Sequence, residues 1–77
     1  MSKKSQLKKA IEECEREIEA FEHKRERSQT AIMRAMLAGK KASSEDEHYF
    51  TTFSNLIDQK REELRRLRVE LDDLGKK

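Results

Sequence analysis

Proline and tryptophan are absent from the 77 residues, aromatic residues make up 5% and the apolar set only 34%. So little large apolar surface cannot form a sizeable globular core. The single cysteine, Cys14, excludes an intrachain disulfide. No apolar run approaches the ~20 residues of a membrane span, and no apolar signal-peptide stretch follows Lys3 and Lys4. The expectation from these absences is a soluble, cytoplasmic protein of a reducing compartment. Charge of one sign is also missing: 18 basic residues face 16 acidic ones, for a net charge of +2. The two signs are interleaved, which argues against a nucleic-acid arm or an acidic tail. Only the ends are basic, at Lys3, Lys4, Lys8 and Lys9 and again at Lys76 and Lys77, and a solubilising terminus accounts for them.

What the chain does have is charge, 44% of all residues, and a period. Leu7, Ile11, Cys14, Ile18 and Phe21 are spaced alternately by four and three, and the same steps continue through Arg25 and Ser28 to Ile32 and Ala35. The second half repeats the pattern in Phe50, Phe53, Ile57, Lys60, Leu64, Leu67, Leu71 and Leu74. These are heptad seams, each with a polar interruption, and strand-like alternation is absent. A chain of this size gains only roughly 3–5 kcal/mol from its own core.

Between the seams lies a loop, Gly39-Lys40-Lys41-Ala42-Ser43-Ser44. Glycine suits the left-handed residue that ends a helix. Ser44 with Glu47 reads as a capping box, and Glu45 and Asp46 place negative charge on the first helical turn. Gly75 then ends the second helix. The fold class is therefore all-α, a two-helix antiparallel coiled-coil hairpin forming one domain over residues 1–77. Helix one spans about 5–38, the loop 39–44 and helix two about 45–74. The alternative, one continuous parallel coiled coil through residues 38–45, is opposed by Gly39 and the serine cap. Folding about a midpoint near Ala42 and Ser43 sets a register. Ile11 faces Leu74, Cys14 faces Leu71, Ile18 faces Leu67, Phe21 faces Leu64, Ser28 faces Ile57, Ile32 faces Phe53 and Ala35 faces Phe50. Arg25 then faces Lys60, a polar layer whose long stems can cover apolar surface while their charges reach outward. Glu22, Glu26 and Glu63 are near enough to pair with them.

No constellation in the sequence supports catalysis, a cofactor or a metal. His48 follows Glu45 with Glu-x-x-His spacing, but a di-metal site in a bundle needs a second such pair and further inward glutamates. Cys14 sits in the seam, where cysteine acts as a small buried hydrophobe. Lys60, Arg61, Arg65, Arg66 and Arg68 make a basic cluster that Glu62, Glu63, Glu70, Asp72 and Asp73 dilute, so a solvated helix face explains it better than nucleic-acid binding.

The loop end differs from the rest. Ala31, Ile32, Met33, Ala35, Met36, Leu37 and Ala38 are apolar around most of the helix, and Tyr49, Phe50, Phe53, Leu56 and Ile57 open the second helix. Two helices hide only the faces they turn to each other, so Met33, Leu37, Tyr49 and Leu56 should be left outside. Methionine and aromatic side chains suit interfaces. The candidate partner-binding residues are Met33, Leu37, Tyr49, Phe50, Phe53 and Leu56. The occupant is another protein or a second copy, which would complete a four-helix bundle.

The stretch Ile32-Met33-Arg34-Ala35-Met36-Leu37-Ala38-Gly39, the Ser43-Ser44-Glu45-Asp46-Glu47 cap and the apolar start of helix two resemble the small co-chaperones of bacterial type III secretion needle subunits, the YscE/PscE/EscE type. The resemblance is one of architecture, and this chain departs from it by stricter heptads and higher charge. It implies a non-enzymatic partner of a tetratricopeptide-like helical-repeat chaperone, the two together keeping a needle subunit soluble.

Overall fold

A computed structural model describes residues 2–76 as two α-helices, α1 (Lys3–Leu37) and α2 (Ser44–Gly75), packed against each other as an antiparallel hairpin. The molecule is a rod of 59 × 17 × 16 Å. No strand occurs among the described residues, and none of their helices is long and apolar enough to cross a membrane.

Local chemistry fixes the ends. Ser2 caps α1, its Oγ accepting from the Ser5 N–H at 3.1 Å. At the other end Gly39 adopts φ +68°. Its N–H donates to the Met36 carbonyl at 3.0 Å, and the Lys40 N–H donates to that of Ala35 at 2.8 Å. This pair of bonds is a Schellman termination, which satisfies carbonyls that the helix leaves open and places glycine where a Cβ would be strained. The expected ends shift by a residue or two. Ser43, not Ser44, caps α2: its Oγ accepts from the Asp46 N–H at 3.0 Å and donates to Asp46 Oδ2 at 2.9 Å. Both serines have a carboxylate three residues on, but Ser43 is the extended residue (φ −68°, ψ 149°) and Ser44 is already helical, so the earlier one is the cap. Gly75 does not stop the second helix but lies in its last turn, with Lys76 as the cap.

The seams pack as the heptads require, but one heptad away from the expected register. The Cys14 thiol donates to the Lys60 carbonyl oxygen at 3.3 Å. The Phe21 and Phe53 rings lie 5.9 Å apart, and Glu17 pairs with Lys60 at 2.9 Å. With Cys14 opposite Leu71, Lys60 would be about 16 Å further along the helix. The cross-helix pairs Glu15–Arg68 at 3.2 Å, Glu22–Arg61 at 3.3 Å and Lys3–Glu70 at 3.5 Å bracket the seam on its two sides and place Cys14 at the level of Leu64 and Phe21 at that of Ile57. Arg25 and Lys60 therefore do not share a layer. Arg25 stands near the level of Phe53, and Lys60 sits between Glu17 and Glu63, at 2.9 and 3.2 Å.

A slide of seven residues keeps every a position against a d position, so periodicity alone cannot choose between the two registers. One feature decides it. The slide gives Leu7 a partner level near Leu71, where the expected register would have carried it past the end of α2. Leu7 is buried accordingly.

The core is short and off-centre. Cys14, Ile18, Ile57 and Leu64 form its buried middle, with Ile11, Phe21 and Leu67 packed against them. Each buried aliphatic side chain contributes about 1.5–3 kcal/mol. The flanking ion pairs are half-exposed and contribute at most ~1 kcal/mol each, so they set register more than stability.

Candidate functional site

The expected partner-binding residues all lie at the loop end, but they do not form one surface. Met33, Met36, Leu37 and Tyr49 are 55, 69, 86 and 52% exposed. Phe50, Phe53 and Leu56 are half-covered, so Leu56 is not left outside as expected. The heptad geometry turns them to different sides of the rod. Tyr49 and Phe53 line one groove with Lys24, Arg27, Ser28 and Asp46. Met36 lines another with Ile32, Ala42, Ser44 and Glu47. Leu37, in the last turn of α1, points away from the seam.

Aromatic packing organises the first groove. Tyr49 stacks on Phe53 with ring centres 5.9 Å apart and planes 5° from parallel. Phe53 meets Phe21 at 5.9 Å in a tilted arrangement, tying the groove to the core. Lys24 Nζ lies 5.6 Å from the Phe53 ring centre, close enough for a cation–π contact. Tyr49 is thus anchored on one face and open on the other.

Charge is distributed unevenly along the rod. Away from the loop, Lys3, Lys60, Arg61, Arg65 and Arg68 each have a carboxylate partner. Among the described residues Lys24, Arg25, Arg27 and Arg34, near the loop, have no carboxylate within ion-pair distance, as is true of Arg16 and Arg66 further from it, and the stretch 24–34 of α1 carries one carboxylate, Glu26, which lies 4.0 Å from His23. Sequence reasoning passed over these cations because it weighed charge over the whole chain. Their positions at 24, 27 and 34, interleaved with Ala31, were the available signal. Met36 was also left out of the expected set, although it follows Met33 by one turn. Val69 is the remaining exposed large hydrophobic residue, outward on α2 and remote from the loop.

The titratable groups with displaced pKa values lie outside this region. Burial pushes the Cys14 thiol up, helped by Glu63, Glu17 and Glu15 against the opposing effect of Lys60. Hydrogen bonds to Glu17 and then Glu63 raise the Lys60 ammonium above the usual lysine range. The Arg65 guanidinium, donating from Nε at 3.1 Å, holds Glu62 below the usual carboxylate range. Among the described residues no three His, Cys, Asp or Glu side chains gather in a group that could hold a metal ion.

No family model matches the chain, and no curated protein or solved structure does.

Proposed function

We propose that this protein acts by binding another protein through the loop end of the hairpin, and not by catalysis. The observation that carries this reading is the apolar surface left outside there: Met33, Met36, Leu37 and Tyr49 are four of the five large hydrophobic side chains that stand exposed among the described residues. The surface of the whole rod supports it. The chain exposes 6187 Å², whereas a compact protein of 9.1 kDa exposes about 4,900 Å². The excess, about 1,300 Å², is more than one side of a standard protein interface, ~800 Å². The rod shape is the reason: each helix turns only one face inward. The finer assignment is a co-chaperone that pairs with a helical-repeat chaperone to keep a type III secretion needle subunit soluble. It rests on the architectural resemblance alone.

The same excess of surface favours a second reading, self-association into a four-helix bundle. Purification from the native cell, with the mass of the complex measured, separates the two: a second, different chain supports the first reading, and a homodimer the second. The double variant Leu37→Ala, Tyr49→Ala then locates the site. Truncating an interface anchor costs on the order of 2 kcal/mol in binding, roughly thirtyfold. Helicity should persist while the partner is lost. Partner binding unchanged by the double variant would move the site away from the loop end.

A further inference from the structure

Resting on the reading of the loop end as a protein-docking end, we infer that the groove beside Tyr49 and Phe53 takes an amphipathic helix whose one edge is acidic, its carboxylates meeting Lys24 and Arg27 on the rim and Arg34 in the adjoining hollow of α1. The shape of the groove, its floor and its two rims argue for this occupant.

The groove runs between two helices and has an open volume of about 390 Å³. A hairpin of two helices offers no sheet edge to an extended strand, whereas the furrow between antiparallel helices accepts a third helix as in a bundle. Its floor is apolar at one level, the exposed face of Tyr49 stacked on Phe53. One rim is basic. Lys24 and Arg27 line it, and Arg34, seven residues beyond Arg27, continues that side of α1 in the adjoining hollow it shares with His23, Glu26, Arg27 and Thr30, over about 15 Å in all. The absence of carboxylate partners leaves them available, in contrast to the cations that bracket the core. The other rim carries Asp46, whose carboxylate accepts from the Ser43 hydroxyl at 2.9 Å. Glu26 lies 4.0 Å from His23 and shares the adjoining hollow with Arg27 and Arg34, the one carboxylate on that side.

This asymmetry selects the chemistry. A ligand negative on both edges would meet Asp46 as well as the arginines, so a nucleic-acid strand fits the two rims less well than a helix with one acidic edge. Complementary charge at the rim of an interface governs encounter rate and the exclusion of wrong partners. The arrangement therefore selects the charge of the occupant's edge.

The chain contains its own reporter. Tyr49 is the sole tyrosine and tryptophan is absent, so tyrosine emission reads the floor of this groove. The probe is a synthetic amphipathic helix lacking tyrosine and tryptophan, with leucine on the anchor face, glutamate along one edge and glutamine elsewhere. A second peptide carries lysine along that edge, and a single-stranded oligonucleotide serves as a polyanion control. The acidic-edge peptide should change Tyr49 emission saturably and the lysine-edge peptide should not. The exposed pair Arg27→Glu, Arg34→Glu should leave helicity intact, weaken the acidic-edge peptide at least about tenfold and admit the lysine-edge one. Equal binding of both peptides, binding of neither, or an oligonucleotide that binds as tightly as the peptide would each overturn the inference. The same charge-reversed variant belongs in the native-cell purification. If it keeps the partner while Leu37→Ala, Tyr49→Ala loses it, this inference falls and the docking end stands. If both variants keep the partner, the docking end falls too.

Discussion

The two ends of the hairpin are built from the same heptads and do opposite things with them. Toward the open end, seam positions hold Leu7, Ile11, Cys14 and Ile18 against Leu64, Leu67 and Leu71, and cross-helix ion pairs close both sides. Toward the loop, the seam holds Arg25, Ser28 and Ala35, the bulky residues are only half-covered, and methionine, leucine and tyrosine stand outside. The open end turns most of its hydrophobic residues inward, Val69 excepted, and pairs several of its cations with carboxylates. The loop end keeps both outward. On the proposed reading a short chain separates stability from recognition along one rod, since each heptad layer contacts little beyond its neighbours.

If that separation is real, substitutions should sort by end. The largest effect belongs to Ile57, which is 0% exposed at the centre of the core. Ile57→Ala should cost about 2–5 kcal/mol, through lost burial and the void left behind. That is comparable to the whole stability of so small a fold, so circular dichroism at 25 °C should show most of the helix gone. Leu37→Ala, on a side chain 86% exposed, should change the urea midpoint by less than about 0.5 kcal/mol in stability. Similar losses from the two variants would erase the distinction between the ends.

Register comes next, as an all-or-none outcome. Cys14 and Leu64 belong to the same buried cluster. Leu64→Cys should therefore form an intrachain disulfide with Cys14 under mild oxidation, detected as a monomeric species of altered mobility without reductant. Leu71→Cys, the partner in the register one heptad away, should not. The reverse result would restore that register and take the Phe21–Phe53 contact apart.

This register marks the boundary of what could be read from residues alone. The helices, the antiparallel fold, Gly39 as the terminator and the seam membership of Cys14, Ile18, Ile57 and Leu64 follow from spacing and cap chemistry, and the structure places them so. The axial offset does not follow, because a heptad seam fits equally well after a slide of seven and only the end of α2 breaks the tie. Burial of Leu7 was the discriminating clue. The candidate site was legible as a region, not as a surface: composition located the apolar end, but assigning Tyr49 and Met36 to different grooves needs the rotation of each helix about its axis. The unpaired cations were hidden for a related reason, since pairing depends on which carboxylates the register brings opposite.

The turn offers a smaller test of the loop end. Gly39 has φ +68° and open space where a Cβ would go. The cost of Gly39→Ala is therefore backbone strain without a clash, about 1–2 kcal/mol. Gly75 is helical at the open end and also meets nothing. Gly75→Ala should stabilise by up to about 1 kcal/mol. Thermal melts of the two variants should move in opposite directions, and a stabilising Gly39→Ala would mean that the left-handed termination is not held in solution.

The smallest effect is a pH dependence that belongs to the open end. Cys14 and Lys60 are in contact, and both hold their protons more tightly in the folded chain than in the unfolded one. A free thiol titrates near 8.5 and a free lysine near 10.4. Below each value the folded and unfolded states bind the same proton and the contribution to stability is fully present. As pH rises past it, the unfolded chain releases its proton first, the folded state binds more protons, and stability falls until the folded group also titrates. Urea stability should therefore begin to decline near pH 8.5 and steepen above about pH 10. Cys14→Ala should remove the first part of the decline and Lys60→Met the second. The slope with pH is the readout, because truncating Cys14 also leaves a small void that lowers stability at every pH. Glu62 has the opposite sign: its contribution is present above about pH 4.3 and is lost as pH falls through its lowered folded value. Its pair with Arg65 is solvent-exposed, so that acid limb should be shallow and should flatten in high salt. An alkaline slope that neither Cys14→Ala nor Lys60→Met alters would mean that the thiol and the ammonium are not held in the seam, and the contact that fixes the register on that side would be lost with them.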